Sequence, residues 1–383
     1  MSTRVPLAIP NIGQTEADLV ADAMRSGFVS SVGEYVTEFE RRFAEYVGAP
    51  YAVACSSGTA ALHLGMRLAD VQPGDLVAVS DFTFMASSNA ASYQFADLLL
   101  VDSKPDSWGM DLDILRTELL RRRSAGEKLP KVIELVHILG QPADAHGARE
   151  IADEFGAVLI EDAAEALGAT WSDGPLAGRH VGTVGHMAAF SFNGNKIMTT
   201  GGGGMFTTDD EELARRAKHL STQARMPERG YLHNEIGYNY RLTNIAAALG
   251  VAQLSRMDEF VARKRSIAAR YNDAFAGTPI TCPPGMPGEE STYWLYSILV
   301  PSAEPGTETR DNLQDFLGAA DIESRPLWRP LHMQPPLAKE QVLGGAVGEE
   351  LFARGLSLPC STDLSDADQQ RVIERVLAWL QTR

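Results

Sequence analysis

Short apolar runs alternate with helical stretches through the first two-thirds of the chain. The helical stretches include residues 60–69, 110–124 and 146–155. Short buried strands that alternate with helices are typical of an α/β fold with a largely parallel sheet. The last two of the predicted strands lie so close together that a loop without a helix should join them. We predict seven strands, at residues 51–55, 76–80, 98–102, 131–136, 158–161, 188–192 and 205–207.

The last third of the chain has a different pattern. One long helical stretch covers residues 243–275, and Thr243 is a suitable N-cap for it. A run rich in proline and glycine follows at residues 279–289. The pattern after this run is typical of a small α+β unit. Its predicted elements are a strand at residues 293–300 and helices at residues 307–318 and 366–381.

The length of 383 residues is sufficient for two domains. We expect a large domain at residues 1–250, with an N-terminal segment able to pack on the other domain. We expect a smaller C-terminal domain at residues 251–383, which the long helix enters. Hydrophobic residues make up 44% of the chain and charged residues 22%, and this composition is that of an ordinary globular protein.

Charge and cysteine content narrow the possible partners and location. The formal net charge of −16 argues against nucleic acid as a bulk partner. The first twenty residues contain no long apolar run, so we expect neither a signal peptide nor a membrane helix there. Cys55, Cys282 and Cys360 are widely spaced, which fits buried thiols in the cytoplasm and does not fit a metal site.

The first candidate motif, CSSGTAAL at residues 55–62, joins a strand to a helix through small residues. Free backbone N–H groups at a helix N-terminus bind phosphate well. Gly58 would allow a phosphate to approach closely, and Thr59 would add a hydroxyl group. A serine-capped helix without a ligand is the alternative interpretation.

The second motif, VLIEDAAE at residues 158–165, places an acidic pair at the end of an apolar strand, where α/β proteins hold their ligands. A buried carboxylate needs a cationic partner. The protonated nitrogen of a pyridine ring is such a partner, and Asp162 is our choice for the carboxylate. Alternatively, Asp162 caps a following helix.

The third motif, FSFNGNK at residues 190–196, is followed by the glycine-rich run TTGGGG at residues 199–204. A lysine forms a Schiff base through its neutral amine, and desolvation favours that form. Lys196 is the candidate, and Ser191 can reach a phosphate oxygen. The alternative is a surface lysine beside a flexible loop.

In their order of phosphate loop, carboxylate and lysine, these motifs resemble those of the fold-type I pyridoxal phosphate (PLP) enzymes. The resemblance is specifically to the DegT/DnrJ/EryC1/StrS sugar aminotransferases. It extends from the GFVS motif at residues 27–30 to the LSLP motif at residues 356–359. It implies an α/β fold, pyridoxal 5'-phosphate held by Lys196 as an internal Schiff base, and a homodimer with shared active sites.

The resemblance also implies roles for individual residues. Asp162 matches the partner of the pyridine nitrogen, and Glu165 occupies a position near the phenolate side of the cofactor. Gly202 stands where the commoner family pattern has a glutamate, so contacts credited to that glutamate are not expected here. The other matches are Phe84 as the residue that stacks on the cofactor ring, Gly58, Thr59 and Ser191 as phosphate binders, and Asn239 as a residue that reaches the phosphate of the neighbouring subunit.

Four segments are similar to one branch of the family: residues 191–196, 222–225, 235–241 and 325–332. That branch aminates C4 of UDP-4-keto-6-deoxy-N-acetylhexosamines, as in bacillosamine biosynthesis. A nucleotide sugar needs cations for its diphosphate and an aromatic surface for its base. The candidate substrate-binding residues are Arg325, Trp328, Arg329, His332 and His137.

The segment at residues 325–332 has an alternative role, which is to pack the small domain on the large one. Both roles are compatible with its sequence. A lone histidine is often structural, so His332 and His137 are weaker candidates for substrate contact than the two arginines and the tryptophan.

These inferences predict a PLP-dependent transfer of an amino group from L-glutamate to the C4 keto group of UDP-4-keto-6-deoxy-GlcNAc, with ping-pong kinetics. One alternative acceptor is a C3-keto sugar or a ketocyclitol. A sugar dehydratase of the same fold is disfavoured, because those relatives carry histidine in place of the lysine. The alternative from another class is a non-catalytic PLP-binding regulatory protein.

Overall fold

A computed structural model describes residues 4–227, 230–301 and 309–382. Its α-helices are α1 (Gln14–Ser26), α2 (Glu34–Val47), α3 (Gly58–Leu68), α4 (Met85–Ser92), α5 (Leu112–Ala125), α6 (Ala145–Phe155), α7 (Glu211–Ser221), α8 (Asn244–Leu254), α9 (Met257–Phe275), α10 (Thr309–Gly318), α11 (Ala346–Arg354) and α12 (Asp366–Gln381). Its strands are β1 (Tyr51–Cys55), β2 (Leu76–Ser80), β3 (Asp97–Val101), β4 (Val132–Val136), β5 (Val158–Asp162), β6 (Thr170–Trp171), β7 (Met187–Ser191), β8 (Gly204–Thr208), β9 (Glu289–Glu290), β10 (Tyr296–Leu299), β11 (Arg325–Pro326), β12 (Gln341–Leu343) and β13 (Gly355–Leu358).

The main sheet of the described chain has eight strands in the order β1-β8-β7-β5-β4-β2-β3-β12. Strand β8 runs antiparallel to β1 and β7, and the other neighbours are parallel. The α/β fold and all seven predicted strands are confirmed, including the loop connection between β7 and β8. The predicted number of strands was one too low, because β12 has only three residues and such a short segment carries no periodic signal.

The two faces of the sheet are covered by different helices. Alternate residues of β7 point to opposite faces, as the pleat requires. Phe190 packs against Phe43 of α2 with ring centroids 5.0 Å apart. On the other face Ile160 of β5 contacts α3 at Gly65, where an added Cβ would lie only 3.2 Å from the isoleucine side chain. The small residues of α3 therefore let this helix lie close to the strands that carry the site.

The predicted long helix at residues 243–275 is two helices, α8 and α9. Its N-cap is confirmed, because the Thr243 side chain accepts a hydrogen bond from the backbone N–H of Ala246. The break lies at Arg256, whose backbone has φ −108° and ψ 6°. The Arg256 guanidinium pairs with Glu16 of α1 at 3.0 Å. No glycine or proline marks this break, so the sequence pattern did not reveal it.

The C-terminal part contains a three-stranded sheet in the order β10-β13-β11 with antiparallel pairs. The final helix begins and ends where the sequence predicts, and the predicted strand at 293–300 is present as the shorter β10. The predicted helix at 307–318 is present from Thr309 onward, and its first two residues lie outside the described chain. The division into domains at residue 250 stays a prediction.

Among the described helices, none combines the length and the apolar character that a membrane crossing requires. Several candidate functional residues lie at the carboxyl ends of the parallel strands, where α/β sheets bind ligands. Ser191 ends β7, Asp162 ends β5, and Asp81 follows β2 directly. The candidate functional residues therefore lie along this edge of the sheet.

Candidate active site

A cavity of about 370 Å³ opens at the carboxyl edge of the main sheet. It brings together residues from distant parts of the chain, including most of those that the sequence motifs single out. The residues that line it and enter the argument below are Ser57, Gly58, Thr59, Thr83, Phe84, Ser87, Asp162, Glu165, Ser191, Asn195, Lys196, Gly202, Trp294, Arg325 and Trp328.

The N-terminus of α3 forms one side of this cavity. The Ser57 hydroxyl oxygen caps the helix by accepting a hydrogen bond from the N–H of Ala60 at 3.0 Å. The next residues, Gly58 and Thr59, line the cavity beside Ser191. A Cβ on Gly58 would lie 2.8 Å from the Cβ of Ser191, so a side chain at this position would collide with β7. The two interpretations of this motif are therefore compatible: the serine caps the helix, and the N-terminus of the helix remains suited to binding an anion.

Asp162 is buried at the end of β5. Its Oδ2 accepts a hydrogen bond from the Ser87 hydroxyl at 2.8 Å, and its Oδ1 accepts one from the N–H of Ala164 at 3.1 Å. Burial raises the pKa of this carboxyl, although the two hydrogen bonds favour its ionised form. Residues 163–169 contain turns and no helix, so the alternative that Asp162 caps a helix is wrong.

Lys196 lies inside the cavity, and its side chain is only 13% exposed. Its Nζ is 3.9 Å from Oε1 of Glu165 and 3.7 Å from the centroid of the Trp294 ring. Burial lowers the pKa of this amine, against the opposing effect of Glu165 and Asp162. A buried amine with a lowered pKa provides the neutral form that attacks a carbonyl group. The alternative of a solvated surface lysine is wrong.

Glu165 is held beside this amine by the backbone. Its Oε2 accepts a hydrogen bond from the N–H of Leu139 at 2.8 Å. Leu139 itself has φ 56°, a left-handed conformation that is uncommon for leucine. Burial raises the pKa of the Glu165 carboxyl to about 7. The Glu165 carboxyl therefore titrates near neutral pH, with its Oε1 3.9 Å from the amine of Lys196.

Phe84 precedes α4 and presents an uncovered ring to the cavity, with 55% of its surface exposed. Leaving so much apolar surface in a cleft is costly unless a flat ligand covers it. Gly202 also lines the cavity, and an added Cβ there would meet no atom within 4 Å. The position that lacks the usual glutamate is therefore open space in this chain.

Comparison with known proteins identifies the group to which these features belong. The family model described as the DegT/DnrJ/EryC1/StrS aminotransferase family matches residues 10–377. The chain belongs to this aminotransferase family. EpsN of Bacillus subtilis is 38% identical over 387 residues, covering 100% of this chain and 97% of EpsN.

Two further relatives of this aminotransferase are informative. GDP-perosamine synthase of Caulobacter vibrioides is 38% identical over 372 residues, covering 97% of this chain and 96% of the synthase. Spr1654 of Streptococcus pneumoniae, solved in a PLP form, has a TM-score of 0.89 at 28% identity, covering 99% of both chains. At the level of the family, these findings confirm the prediction of a PLP-dependent sugar aminotransferase.

The residues of this aminotransferase fit pyridoxal 5'-phosphate. Lys196 supplies an amine for the aldehyde, and the buried Asp162 carboxylate is suited to a cationic ring nitrogen. The uncovered ring of Phe84 suits a flat pyridine ring. The start of α3 and the Ser191 hydroxyl are suited to a phosphate group. All these groups line one cavity, so a single ligand can contact all of them.

The predicted substrate residues of the aminotransferase are divided by the structure. Arg325 and Trp328 line the cavity, whereas Arg329 does not. The Arg329 guanidinium lies over the ring of Phe352, with 5.1 Å between its Cζ and the ring centroid. Trp328 stacks on Trp294 with ring centroids 6.0 Å apart. One face of Trp328 is therefore already covered by protein.

The two predicted histidines are also placed differently from expectation. His137 is completely buried, with Nε2 2.8 Å from Oε2 of Glu161 and Nδ1 accepting from the N–H of Ala143 at 2.9 Å. Both ring nitrogens are thus engaged inside the protein, so the predicted substrate contact of His137 is wrong. His332 lies outside the cavity lining and contacts Asp81 and Glu349.

Asn239 is exposed and lies outside the cavity of its own subunit. It forms a backbone bridge with Thr222. The predicted contact with the phosphate of a neighbouring subunit stays a prediction.

Sequence reasoning missed several residues that line the cavity or support it. Ser87 follows Phe84 by three positions, a spacing that places two residues on one helical face, so this serine could have been found. No motif in the sequence pointed to Trp294, because it lies in the C-terminal part of the chain, far from the motifs that form the rest of the cavity. Thr83 and Asn195 are among the other lining residues that the sequence analysis did not assign.

Proposed function

We propose that this enzyme transfers an amino group from L-glutamate to the C4 keto group of a nucleotide-linked 4-keto-6-deoxy sugar. The first candidate is UDP-4-keto-6-deoxy-GlcNAc. The observation that carries the proposal is the presence, in one cavity, of a buried amine, a buried carboxylate and the substrate-side residues Arg325 and Trp328.

The bound cofactor supplies an electron sink, and the protein supplies orientation and proton transfer. The Nζ of Lys196 accepts a proton from the α-carbon of the donor and returns it on the cofactor side as general base and acid. Glu165, 3.9 Å away, is placed to hold the proton of this amine between steps. Asp162, which accepts a hydrogen bond from the Ser87 hydroxyl, would pair with the protonated ring nitrogen.

The substrate side has a cation and an aromatic surface. Arg325 is exposed in β11 and reaches the cavity, which suits the diphosphate of a nucleotide sugar. Trp328 keeps part of its ring towards the cavity, although Trp294 covers one face. Arg329 is left out of this assignment because of its position over Phe352.

The nucleotide is supported by two different observations. The sequences of residues 191–196 and 325–332 are similar to those of the branch that aminates UDP-linked sugars, and this similarity supports a UDP-linked acceptor. The 38% identity to the Caulobacter GDP-perosamine synthase supports a GDP-linked sugar as a second candidate. Both acceptors would use the same cavity and the same chemistry at Lys196.

The assembly and location form part of the proposal. The exposed Asn239, placed outside its own cavity, supports a homodimer in which each subunit completes the site of the other. The three free cysteines support a reducing compartment, which we propose is the cytoplasm.

The test is a half-reaction screen with enzyme in the pyridoxamine form. The acceptors are UDP-4-keto-6-deoxy-GlcNAc, a GDP-linked 4-keto-6-deoxy sugar, a nucleotide-linked 3-keto sugar and a ketocyclitol. We expect the UDP-linked 4-keto sugar to restore the PLP absorbance fastest, and Lys196→Ala to abolish the change. Discharge by the ketocyclitol alone would overturn the nucleotide-sugar assignment, and bound PLP without any discharge would favour a regulatory protein.

A second measurement tests the lysine directly. Borohydride reduction should attach the cofactor covalently, and mass spectrometry of the peptides should place the adduct on Lys196. An adduct on any other residue would remove the central assignment.

A further inference from the structure

Asp81 makes three hydrogen bonds to two consecutive residues of the C-terminal part. It is completely buried immediately after β2. Its Oδ1 accepts from the backbone N–H of His332 at 2.9 Å, and its Oδ2 contacts Nδ1 of the same histidine at 2.6 Å. Its backbone carbonyl accepts from the N–H of Leu331 at 2.9 Å. The carboxylate and the backbone of one residue thus fix both Leu331 and His332.

This contact joins the two walls of the cavity. Asp81 begins the segment that contains Phe84, on the wall suited to the cofactor ring. Trp328, four positions before His332, lies on the wall suited to the substrate. Between these walls, the ring of Phe82 meets the edge of Trp328 at a centroid distance of 6.4 Å. A change at Asp81 or His332 would therefore move Trp328 relative to the cofactor side.

A second buried aspartate fixes the chain beyond His332. Asp102 follows β3, and its carboxylate accepts hydrogen bonds from the backbone N–H groups of Gly345 at 2.6 Å, Val347 at 3.1 Å and Gly348 at 2.9 Å. These bonds attach the start of α11 to the sheet edge. They also place Glu349 of α11 3.2 Å from Nε2 of His332.

We infer that Asp81 and His332 are positioning residues that hold Trp328 in place for the acceptor sugar without contacting it themselves. This inference deepens the proposed function and rests on it. The pair lies outside the cavity lining, which separates it from residues that touch substrate. Its effect should therefore be specific to the acceptor half-reaction, because L-glutamate carries no nucleotide.

The charge state of the pair depends on the groups that face it. His332 meets Asp81 through Nδ1 and Glu349 through Nε2, and Asp102 acts on Asp81 from the neighbouring strand. Burial lowers the pKa of His332, but the two carboxylates outweigh it and the net direction is upward. The pKa of Asp81 is also raised, by burial, which opposes a fully charged pair. We assign the proton to His332, because both of its ring nitrogens face carboxylate oxygens.

The sign of the pH effect follows from that assignment. A histidine with a raised pKa contributes its full ion pair below its ordinary pKa and loses it as the pH rises through the raised value. The acceptor half-reaction should therefore weaken on the alkaline side, whereas the donor half-reaction should not follow the same curve.

The experiment compares His332→Leu with His332→Asn, using the pyridoxamine form of the enzyme for the acceptor and the PLP form for L-glutamate. Asparagine keeps an N–H donor for Asp81 but cannot titrate. We expect His332→Leu to raise the half-saturating concentration of the acceptor by about tenfold or more, from loss of a charge-assisted hydrogen bond. The donor half-reaction with L-glutamate should change by less than about twofold. His332→Asn should retain most of the acceptor affinity and lose the alkaline dependence.

A matched control is His146→Gln, which alters an exposed histidine 3.7 Å from Glu150 on α6. This variant should match the wild type in both half-reactions. Equal slowing of both half-reactions by His332→Leu, or no change in acceptor affinity, would contradict the positioning role.

Hydrogen exchange separates this inference from the proposed function. Exchange measured by mass spectrometry should increase at residues 325–333 in His332→Leu and stay near the wild-type level in His332→Asn. Unchanged exchange in His332→Leu would overturn the anchoring, whatever the acceptor is. Increased exchange in an enzyme that uses no nucleotide sugar would keep the anchoring and reject the proposed function.

Discussion

The Nζ of Lys196 lies 3.7 Å from the centroid of the Trp294 ring. The same tryptophan donates a hydrogen bond from Nε1 to the backbone carbonyl of Asn195 at 2.7 Å. One side chain therefore contacts the reactive amine and also fixes the residue that precedes it. Through its stacking on Trp328, it also extends to the substrate side of the cavity.

This relationship predicts a graded effect of substitutions at Trp294. Phenylalanine keeps an aromatic face but loses the hydrogen bond to Asn195, and leucine loses both. We expect Trp294→Phe to slow the donor half-reaction a few-fold and Trp294→Leu to slow it by about tenfold or more. Stopped-flow absorbance with L-glutamate measures both. The control is Trp379→Phe, a change in the distant helix α12. Equal rates in all variants would show that Trp294 lines the cavity without affecting the donor half-reaction.

Ser87 should set the affinity for the cofactor through Asp162. Its hydroxyl donates the 2.8 Å hydrogen bond that favours the ionised carboxylate, so alanine should raise the pKa of Asp162 further and weaken its pairing with a ring nitrogen. We expect Ser87→Ala to weaken PLP binding by about tenfold, as for a hydrogen bond to a charged group. Equilibrium titration of the unloaded protein gives the dissociation constant.

The neighbouring serine provides the control for that measurement. Ser88 is also buried in α4, but its hydroxyl donates to the carbonyl of Met85 instead. Ser88→Ala should bind PLP as the wild type does. If both alanine variants lost affinity equally, the effect would belong to the helix and not to Asp162.

The parts of the fold that the sequence predicted are those with long apolar signals. Six of the seven predicted segments are runs of four or more residues, a length that is recognisable, and the seventh, at residues 205–207, has three. The missed strands are short: β6, β9 and β11 have two residues, β12 has three and β13 has four, and tertiary pairing decides whether such segments become strands. The break at Arg256 is accompanied by an ion pair with Glu16, 240 positions away, which local sequence does not record.

The site shows the same division. Lys196, Asp162 and Ser191 lie at or soon after strand ends, so the strand pattern together with motif chemistry places them at one edge of the sheet. Trp294 reaches the amine from a position 99 residues beyond Asn195. His137 was wrongly assigned because its partner Glu161 lies on a neighbouring strand, and only the folded chain shows that both ring nitrogens are already engaged.

Glu165 should make the unloaded protein less stable as the pH rises. Its pKa is about 7 in the folded protein against an ordinary value of 4.5, so the unfolded chain releases a proton that the native protein keeps. The destabilisation begins above pH 4.5 and is complete above pH 7, with a magnitude of at most about 3 kcal/mol. Glu165→Gln keeps an acceptor for the Leu139 N–H but does not titrate.

Urea unfolding of the unloaded wild type and of Glu165→Gln at pH 5 and pH 8 measures this contribution. We expect the stability difference between the two proteins to shift in favour of the variant at pH 8. The same difference at both values would mean that the carboxyl does not titrate within this interval.

Glu134 should cost stability, because its carboxyl is buried without a partner. It is 0% exposed in β4, and neither carboxyl oxygen has a hydrogen-bond partner within the described chain. Burial raises its pKa well above the ordinary value, and the charge of Asp162 adds to the shift. We expect Glu134→Leu to stabilise the protein by about 1–3 kcal/mol, since an apolar side chain removes the unsatisfied group. Urea unfolding measures the gain.

Two comparisons test whether Glu134 lowers the stability of the protein without having a functional role. Glu134→Gln keeps the unpartnered polar group, so it should gain much less stability than Glu134→Leu when urea unfolding of the two variants is compared at pH 5. At pH 8 the advantage of Glu134→Leu over the wild type should be larger, because the raised pKa of the buried carboxyl makes the unfolded chain lose this proton at lower pH than the native protein does. If Glu134→Leu instead weakened PLP binding, the neutral carboxyl would have to act on Asp162, and its retention in the core would have a functional cause.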